Sequence, residues 1–445
     1  MKRKVLSVVL AITMLSVTLL GCSSSDSTNE EASTSGETTS GSDSTTASTQ
    51  EQIELTYYCI PDPEGIVPEK VAMFNEEYPY VTVTVVELPT DTAERLATVS
   101  TILQAKDSSL DVFDFDCTYP ELFNQAGWLL SLEDVVSDEE KSEFYEASIE
   151  ANTFNGELYS LPLYIDAGIL YYRTDLLEKY GYDVPTTWEE VIEISNVITE
   201  QEESITAGLS IAWKQFEGLT CSAIEFLWAY GGNIIDEDGN VVINSDESKA
   251  GIEMMNNLEN GDSITVDGVQ SFYFVESRVP FYSGNTVFLR DWTSAYVGAQ
   301  DAESSNIVGN VGFTTMPIGS EGGVNYSCLG GWSVGVSAYT EYPDEAKALA
   351  LYLTSEEGQV LEAIANAKMP SRPAVLENED VKAEVPYLTE MVENATMTQA
   401  RPKSAYYAEI SAVIQTEISG ILAGTTDIDT ACESMQSQIE EIVSR

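Results

Sequence analysis

The alternation of strands and helices from residue 53 to residue 116 constrains the fold most strongly. Three segments rich in β-branched and aromatic residues have the length of strands. The two segments between them carry apolar residues at helical spacing. Strands that alternate with helices pair in parallel, because the crossover helix covers a face of the sheet. The chain is therefore predicted to be α/β, with ligands at the carboxyl ends of the strands. The predicted strands are 53–60, 81–88 and 110–116, and the predicted helices end near Glu77 and cover 91–106.

The rest of the chain adds a long strand and several helices. A strand over 163–172 is followed by a helix that Gly181 ends, because glycine adopts the left-handed conformation common at helix C-termini. Thr186 or Thr187 is the predicted N-cap of the next helix, whose first turn is acidic. Further helices are predicted over 219–230, 343–366, 379–395, 404–423 and 427–444.

Two glycine-containing stretches predict local features. Asp238-Gly239 favours a hairpin turn over a calcium loop, since the glycine and glutamate that an EF-hand requires are missing. The stretch LGGWSVGVS predicts a strand that opens at Gly330. Glycines beside Trp332 leave backbone bare, so this indole either fills a core gap or forms one wall of a pocket.

The N-terminus has the pattern of an export signal. A basic head, MKRK, precedes an apolar run over 5–20 that ends in LLGC. This pattern predicts a secretory signal peptide over 1–21. LLGC resembles the lipobox of bacterial lipoproteins, which implies cleavage before Cys22 and lipid attachment to it. An uncleaved membrane anchor and an ordinary signal with a coincidental cysteine are the alternatives. Residues 22–52 are rich in Ser and Thr and predict a disordered tether.

The composition excludes several classes of function. Seventy-four acidic residues against 20 basic ones give a formal net charge of −54, which argues against a nucleic-acid partner. The chain has no histidine, so Ser-His-Asp and Cys-His nucleophile systems are impossible and the commonest metal ligand is missing. No phosphate loop or dinucleotide motif is present. We therefore predict that the protein holds no metal and no cofactor.

Five further cysteines have wide, irregular spacing, which disfavours a zinc site. One or two disulfides remain possible in an exported protein, and the pairing is open. Burial as small apolar side chains is the favoured interpretation. These residues are Cys59, Cys117, Cys221, Cys328 and Cys432.

Three short stretches combine aromatic and polar side chains in a way that suits a sugar. They are FLRDWTSAY, with Arg290, Asp291 and Trp292, LGGWSV, with Trp332, and ARPKSAYY, with Arg401. Sugars stack their apolar faces on aromatic rings and bind charged groups through their hydroxyls. Alone, each stretch has a structural interpretation, as a core tryptophan or a structural ion pair. A glycosidase carboxylate pair is also conceivable, although so many acids make that signal uninformative.

The order of these motifs resembles that of extracellular solute-binding proteins of family 1, and most closely their trehalose/maltose-binding subgroup. The resemblance runs from Ile53 to the C-terminus. It is carried by LPLYIDAGILYYRTDLLEKYGYDVPTTWEEV, FEGLTCSAIEFLWAYGG, FYSGNTVFLRDW, LGGWSVGVSAY, LTSEEGQ, PTDTAERL and ARPKSAYYAEISAVIQ.

The resemblance implies a two-lobed α/β fold of the periplasmic-binding-protein type II class, with crossover segments as a hinge and a ligand cleft between the lobes. It places lobe 1 at 53–165 and 311–356, and lobe 2 at 166–310 and 357–445. Trp332 and Trp292 would stack on the sugar, Arg95, Asp116 and Asp166 would bind hydroxyls, and Arg401 would clamp the ligand. The implied sugar contacts are Glu64, Thr90, Arg95, Asp116, Tyr164, Asp166, Trp292, Gly331, Trp332 and Arg401.

Two positions depart from the family pattern. Ser294 stands where an aromatic residue is common, and Phe216 where a tyrosine is common. Both changes bear on which sugar would fit.

The resemblance implies a non-enzymatic, lipid-anchored receptor that delivers a disaccharide or short oligosaccharide, of the maltose or trehalose type, to the permease subunits of an ABC importer. It implies an extracytoplasmic monomer with no nucleic-acid partner. A secreted glycoside hydrolase and a glycan-binding or signalling receptor on the same fold are the alternatives.

Overall fold

A computed structural model describes residues 52–320, 322–394 and 397–445. The predicted signal peptide, the lipid attachment at Cys22 and all of the predicted tether except Gln52 lie outside these ranges. Within them, no helix is long and apolar enough to cross a membrane.

Most strands join one mixed sheet with the order β2-β1-β3-β10-β6-β8-β7, while β9 pairs with β6 and β11 with β10. β4 and β5 form a separate hairpin. The strands are β1 (Ile53–Cys59), β2 (Val81–Glu87), β3 (Val112–Asp116), β4 (Thr153–Phe154), β5 (Glu157–Leu158), β6 (Ser160–Arg173), β7 (Ala207–Ser210), β8 (Thr286–Trp292), β9 (Val311–Thr314), β10 (Ser327–Val336) and β11 (Thr398–Gln399).

Helices of four to sixteen residues connect and cover these strands. They are α1 (Ile66–Glu77), α2 (Thr92–Gln104), α3 (Pro120–Gln125), α4 (Asp138–Lys141), α5 (Glu146–Glu150), α6 (Thr174–Tyr180), α7 (Trp188–Gln201), α8 (Glu217–Ala229), α9 (Asp246–Asn256), α10 (Phe274–Tyr282), α11 (Ala295–Gln300), α12 (Pro343–Leu353), α13 (Glu356–Asn366), α14 (Glu379–Glu384), α15 (Leu388–Asn394), α16 (Tyr407–Leu422) and α17 (Ile428–Val443).

The N-terminal alternation forms the parallel unit that the sequence predicts. β1 pairs in parallel with β2 and with β3. Leu55, Tyr57 and Cys59 point to one side of this unit, while Tyr58 and Phe113 pack on the other. We call these two clusters together the first core. Because both faces of the unit are covered, all five residues of β3 are buried, including Asp114 and Asp116.

β6 and β10 connect this unit to the rest of the sheet. β10 pairs antiparallel with β3 and with the first half of β6. The second half of β6, from Gly168, pairs instead with β8 and β9. A second core packs around β7, β8, α7 and α8 and is closed by α16 and α17. β6 therefore runs from one core to the other.

Some segments behave differently from their predictions. The strand that holds Trp332 opens at Ser327, so Gly330 lies inside it. The helix predicted over 343–366 is two helices, because Ser355 caps a new one by accepting the backbone N–H of Gly358. The helix predicted over 379–395 also divides, since Pro386 disfavours helical geometry at Val385.

Other local predictions are confirmed. Gly181 ends α6 with a left-handed φ of 73°. Thr187, rather than Thr186, caps α7 and forms a capping box with Glu190. Ile235 bridges Val241 across the predicted hairpin turn.

The cysteine question is also answered for the described residues. All five cysteines are free thiols, and all are buried except Cys117, which is half-buried. The favoured interpretation of small apolar side chains fits the four buried ones.

Candidate functional site

The Gly-Gly-Trp stretch of β10 organises the candidate site. Gly331 has a φ of +132°, and a Cβ there would lie 2.6 Å from the carbonyl oxygen of Tyr164. Only glycine fits both demands. The strand is irregular just after this point, between Trp332 and Ser333. Trp332 thus lies between Asp116 on β3 and Tyr164 on β6, which brings three predicted residues side by side.

Arg95 covers the indole of Trp332. Its guanidinium carbon lies 4.5 Å from the ring centroid, a cation–π distance. Nη2 donates to the carbonyl of Thr90 at 2.5 Å, whereas the buried Nε has no acceptor in the described part of the chain. Burial lowers the pKa of Arg95. Asp91 holds the start of α2 by accepting the N–H groups of Ala93 and Glu94, and α2 carries Arg95.

Arg401 joins the first core to the second through two carboxylates. Its Nη2 lies 3.0 Å from Asp116 Oδ1, and its Nη1 lies 2.8 Å from Glu217 Oε1. The hydroxyl of Tyr407 also donates to Glu217, and Ser411 Oγ donates to its other oxygen at 2.6 Å. The Arg401 side chain is only 2% exposed, so this network replaces most of its hydration.

Tyr164 and Asp166 lie two residues apart on β6. Asp166 Oδ1 accepts from Thr293 Oγ1 at 2.8 Å and from the N–H of Ala167 at 2.9 Å. Burial raises the pKa of Asp166 to about 6, although these bonds oppose the shift. Lys368 Nζ lies 4.4 Å from the centroid of the Tyr164 ring. Lys368 Nζ also lies 2.9 Å from Glu362 Oε2. This ion pair fixes the cation that contacts the Tyr164 ring.

Trp292 ends β8 opposite Gly168 of β6. Its ring meets Phe274 edge to face at a centroid distance of 5.9 Å. The guanidinium carbon of Arg290 lies 4.8 Å from the ring centroid. A Cβ on Gly330 would lie 2.7 Å from the ring, so β10 passes directly against this indole.

The structure therefore brings most of the predicted contact residues into one cluster. Thr90 joins it through its carbonyl oxygen. Glu64 is exposed in the loop after β1, and no hydrogen bond or ion pair of the described residues joins it to the cluster. The residues brought together are Thr90, Arg95, Asp116, Tyr164, Asp166, Trp292, Gly331, Trp332 and Arg401.

The neighbouring residues Arg290 and Asp291 do not pair with each other. Arg290 pairs with Glu225, and Asp291 with Arg278 at 2.8 Å. The two side chains of adjacent strand residues point to opposite faces, which forbids the pairing that the sequence suggested. The stretch does contribute to ion pairs, as its structural interpretation predicted, but each residue pairs with a partner outside the stretch.

The two positions that depart from the family pattern both have partners here. Ser294 Oγ lies 3.1 Å from Arg278 Nη2. The ring of Phe216 packs edge to face against Tyr273 and Phe274. Phe216 therefore belongs to the aromatic group that ends at Trp292.

Sequence reasoning missed Glu217 and Glu225. Both lie on α8, every residue of which is buried. A charged residue in such a helix requires a partner, because an unpaired buried charge is expensive. The available signal was therefore the two acids in the otherwise uncharged run FEGLTCSAIEFLWA. Glu217 pairs with Arg401, and Glu225 with Arg290.

The arrangement suits a neutral ligand with both apolar faces and hydroxyl groups. Two indoles offer faces, while carboxylates and guanidinium groups at their edges offer acceptors and donors. In the described ranges, no group of three or more Cys, Asp or Glu side chains is arranged to hold a metal ion.

Comparisons with known proteins agree on one family. The model described as bacterial extracellular solute-binding protein matches residues 61–360. A Deinococcus radiodurans protein named "Probable ABC transporter-binding protein" is 31% identical over 372 residues, which is 82% of this chain and 87% of that protein.

Solved structures give the same result. Maltose-bound MalE3 of T. maritima has a TM-score of 0.83 and 32% identity, covering 88% of this chain and 100% of that chain. The GacH receptor of Streptomyces glaucescens GLA.O, solved unliganded and with acarbose, has a TM-score of 0.78 over 89% of this chain and 99% of its own. At 21% identity, this second likeness shows the fold alone.

Proposed function

Because the chain belongs to the bacterial extracellular solute-binding protein family, we propose that it captures a saccharide at the cluster around Trp332 and delivers it to the permease of an ABC importer. The family is extracellular, so the protein acts outside the cytoplasm. The predicted fold class is confirmed, since the neighbours are two-lobed binding proteins. The matched proteins are binding proteins, and the chain is not an enzyme.

One observation carries the proposal. The Trp292 ring lies against Gly330, and Trp332 follows two residues later on β10, with arginine and carboxylate groups around both indoles. Indole faces and bidentate polar groups are the two features that sugar recognition requires. The ligand of the 32% identical neighbour, maltose, supports a disaccharide of the maltose or trehalose type.

We infer that the first and second cores move as two lobes about β6 and β10. Arg401 contacts carboxylates from both cores in this structure and would hold the two lobes together around a bound sugar. Glu64 lies in the loop at the carboxyl end of β1, the edge of an α/β sheet where ligands bind, and would contact the sugar from there.

A thermal-shift screen followed by calorimetry tests ligand class. Maltose, trehalose and maltotriose form the test set, and mannitol and glycine form the comparison set. At least one saccharide is expected to raise Tm by several degrees, as mass action requires for a ligand that binds only the folded state. If no saccharide shifts Tm or releases heat, the sugar proposal fails.

A variant pair tests the place of binding. Trp332→Ala should weaken the affinity of the best saccharide by at least tenfold, because an aromatic platform is lost. Tyr182→Ala, in the loop between α6 and α7, is the matched control and should bind like the parent. Equal affinity of Trp332→Ala and the parent would place the site elsewhere.

Delivery and anchoring need cellular tests. Deleting the gene should abolish accumulation of the radiolabelled saccharide, and a plasmid copy should restore it. Unchanged accumulation would favour a glycan-binding or signalling receptor instead. We also propose lipid attachment at Cys22, so that the parent should incorporate a radiolabelled fatty acid and Cys22→Ser should not. Sedimentation of the soluble domain should give a monomer.

A further inference from the structure

A buried ion pair lies behind the Trp292 indole. The side chains of Arg290 and Glu225 are 0% and 1% exposed. Arg290 Nε donates to one carboxylate oxygen at 2.8 Å and Nη2 to the other at 2.6 Å. The N–H of Cys328 donates to Glu225 at 2.9 Å. One carboxylate therefore ties α8 to both β8 and β10.

This pair fixes the surroundings of Trp292 rather than offering groups to a ligand. Two of the donors of Arg290 are used by Glu225, and the whole guanidinium is shielded from solvent. Its contact with the Trp292 ring adds a cation–π interaction to the face it covers. The ring's backbone is held too, because its N–H donates to Asp291 at 2.7 Å and its carbonyl accepts from Tyr171 at 2.9 Å.

Two glycines make this stacking possible. A Cβ on Gly168 would lie 2.1 Å from Glu225 Oε1 and 2.6 Å from Arg290 Nη2. A Cβ on Gly330 would lie 2.7 Å from the Trp292 ring. The lack of a side chain at Gly168 and Gly330 therefore makes room for the ion pair and for the Trp292 ring, and not only for a ligand.

We propose that Glu225 and Arg290 are positioning residues that hold the Trp292 indole in its ligand-binding orientation before any ligand arrives. The proposal rests on the proposed function, in which Trp292 contacts the saccharide. A preformed indole does not lose rotamer freedom on binding, so the pair raises affinity without touching the ligand.

A double-mutant cycle tests whether the pair acts through the indole. Calorimetry compares the parent, Glu225→Gln, Trp292→Phe and the double variant with the best saccharide. Glu225→Gln should weaken affinity by on the order of tenfold in the parent but less than about twofold beside Trp292→Phe. Equal fold-losses in both backgrounds would overturn the proposal, since a general structural defect acts regardless of the indole.

Fluorine NMR gives a second measurement that needs neither ligand nor Glu225→Gln. Protein labelled with 5-fluorotryptophan is compared with Trp292→Phe and Trp332→Phe to assign both resonances. In the free protein, Trp292 should give one narrow resonance and Trp332 a broader one. Arg290→Lys keeps the charge but loses the bidentate fork, and it should broaden the Trp292 resonance.

The outcomes separate the two proposals. The positioning proposal is wrong if the Trp292 resonance is as broad as the Trp332 resonance in the free parent. It is also wrong if Arg290→Lys leaves the Trp292 resonance narrow. If no saccharide binds the parent, the proposed function is wrong while the line widths still decide how the indole is held.

Discussion

Trp332 and Trp292 are both covered by an arginine, yet the two arginines are held differently. The guanidinium carbon of Arg95 lies 4.5 Å from the Trp332 ring centroid, and that of Arg290 lies 4.8 Å from the Trp292 ring centroid. Arg95 donates to a backbone carbonyl, and its Nε has no acceptor among the described residues. Arg290 is fully buried and bound at two points by Glu225.

The pKa values of the two arginines follow this difference. Burial lowers the pKa of Arg95, and its neighbours do not compensate fully. Burial also opposes charge on Arg290, but the Glu225 carboxylate outweighs it and raises the pKa. The Glu225 carboxylate therefore stabilises the Arg290 charge inside the protein, although Arg290 Nη1 also lacks an acceptor among the described residues. Arg95 has no such carboxylate and gains from an oxygen acceptor that a ligand would bring.

The largest expected effect is on stability. Glu225→Ala should lower the free energy of unfolding by about 3–5 kcal/mol, because it leaves the Arg290 charge buried and unpaired. Arg95→Ala should lower the free energy of unfolding by about 1 kcal/mol or less, because the Arg95 side chain has few partners in the protein. Urea unfolding measures both variants. Equal costs would show that the two arginines are not held differently.

A carboxyl near Trp332 should make the free energy of unfolding depend on pH. Asp114 lines the same pocket as Trp332, and burial raises the pKa of this carboxyl to about 7, against hydrogen bonds from the Tyr57 hydroxyl and the N–H of Ile60. The folded state therefore binds a proton more tightly than the unfolded state, whose Asp pKa is about 3.9. The free energy of unfolding should fall as pH rises from about 4 to 7, with a slope approaching 1.4 kcal/mol per pH unit from this group.

Asp114→Asn isolates that contribution, since it keeps the size of the side chain and removes the titration. Urea unfolding from pH 4 to pH 8 should give a flatter profile for Asp114→Asn than for the parent. Identical slopes would mean that Asp114 does not titrate in this window.

Arg95 should matter for binding more than for folding. Arg95→Ala should lose about 1.5–3 kcal/mol of binding free energy, roughly 10–150-fold in Kd, because a charged hydrogen bond to the ligand disappears. Lys106→Ala, just beyond the C-terminal end of α2, removes a charge from the same region and is the control. Calorimetry showing the same Kd for both variants would contradict a ligand role for Arg95.

The smallest expected effect on affinity comes from a hydrogen bond that links the surroundings of Trp292 to those of Trp332. Tyr273 belongs to the aromatic group beside Trp292, and its hydroxyl reaches Asp91 Oδ2, at the start of α2, at 3.3 Å. Tyr273→Phe should weaken saccharide affinity by about 0.5–1.5 kcal/mol, the usual value of one hydrogen bond. Tyr282→Phe, at the other end of α10, loses a hydrogen bond to the Ala295 carbonyl instead and should leave affinity unchanged. Matching affinities in a calorimetric titration would rule out a bridging role for Tyr273.

Local pattern was sufficient for much of the fold. The alternation of VTVTVVE predicts β2, and the glycines of LGGW predict bare backbone next to Trp332, because both depend on neighbouring residues alone. The sequence also contained the signal for the break between α12 and α13, because a serine followed by two glutamates, at Ser355, is typical of a helix start.

The partners inside the site were not predictable in the same way. Glu225 and Arg290 are 65 residues apart, and Asp116 and Arg401 are 285 apart. Their pairing depends on how β6 and β10 connect the two cores. The sequence could indicate that the acids of α8 need cations, but only the fold shows which cations reach them.

A crystal structure of the complex with the tightest-binding saccharide tests this account most directly. We expect the sugar between Trp332 and Trp292, with Arg95 Nε bonded to a sugar oxygen and the Arg290–Glu225 bonds kept near 2.8 and 2.6 Å. A sugar bound away from both indoles, or an Arg290 that leaves Glu225 to contact the sugar, would contradict it.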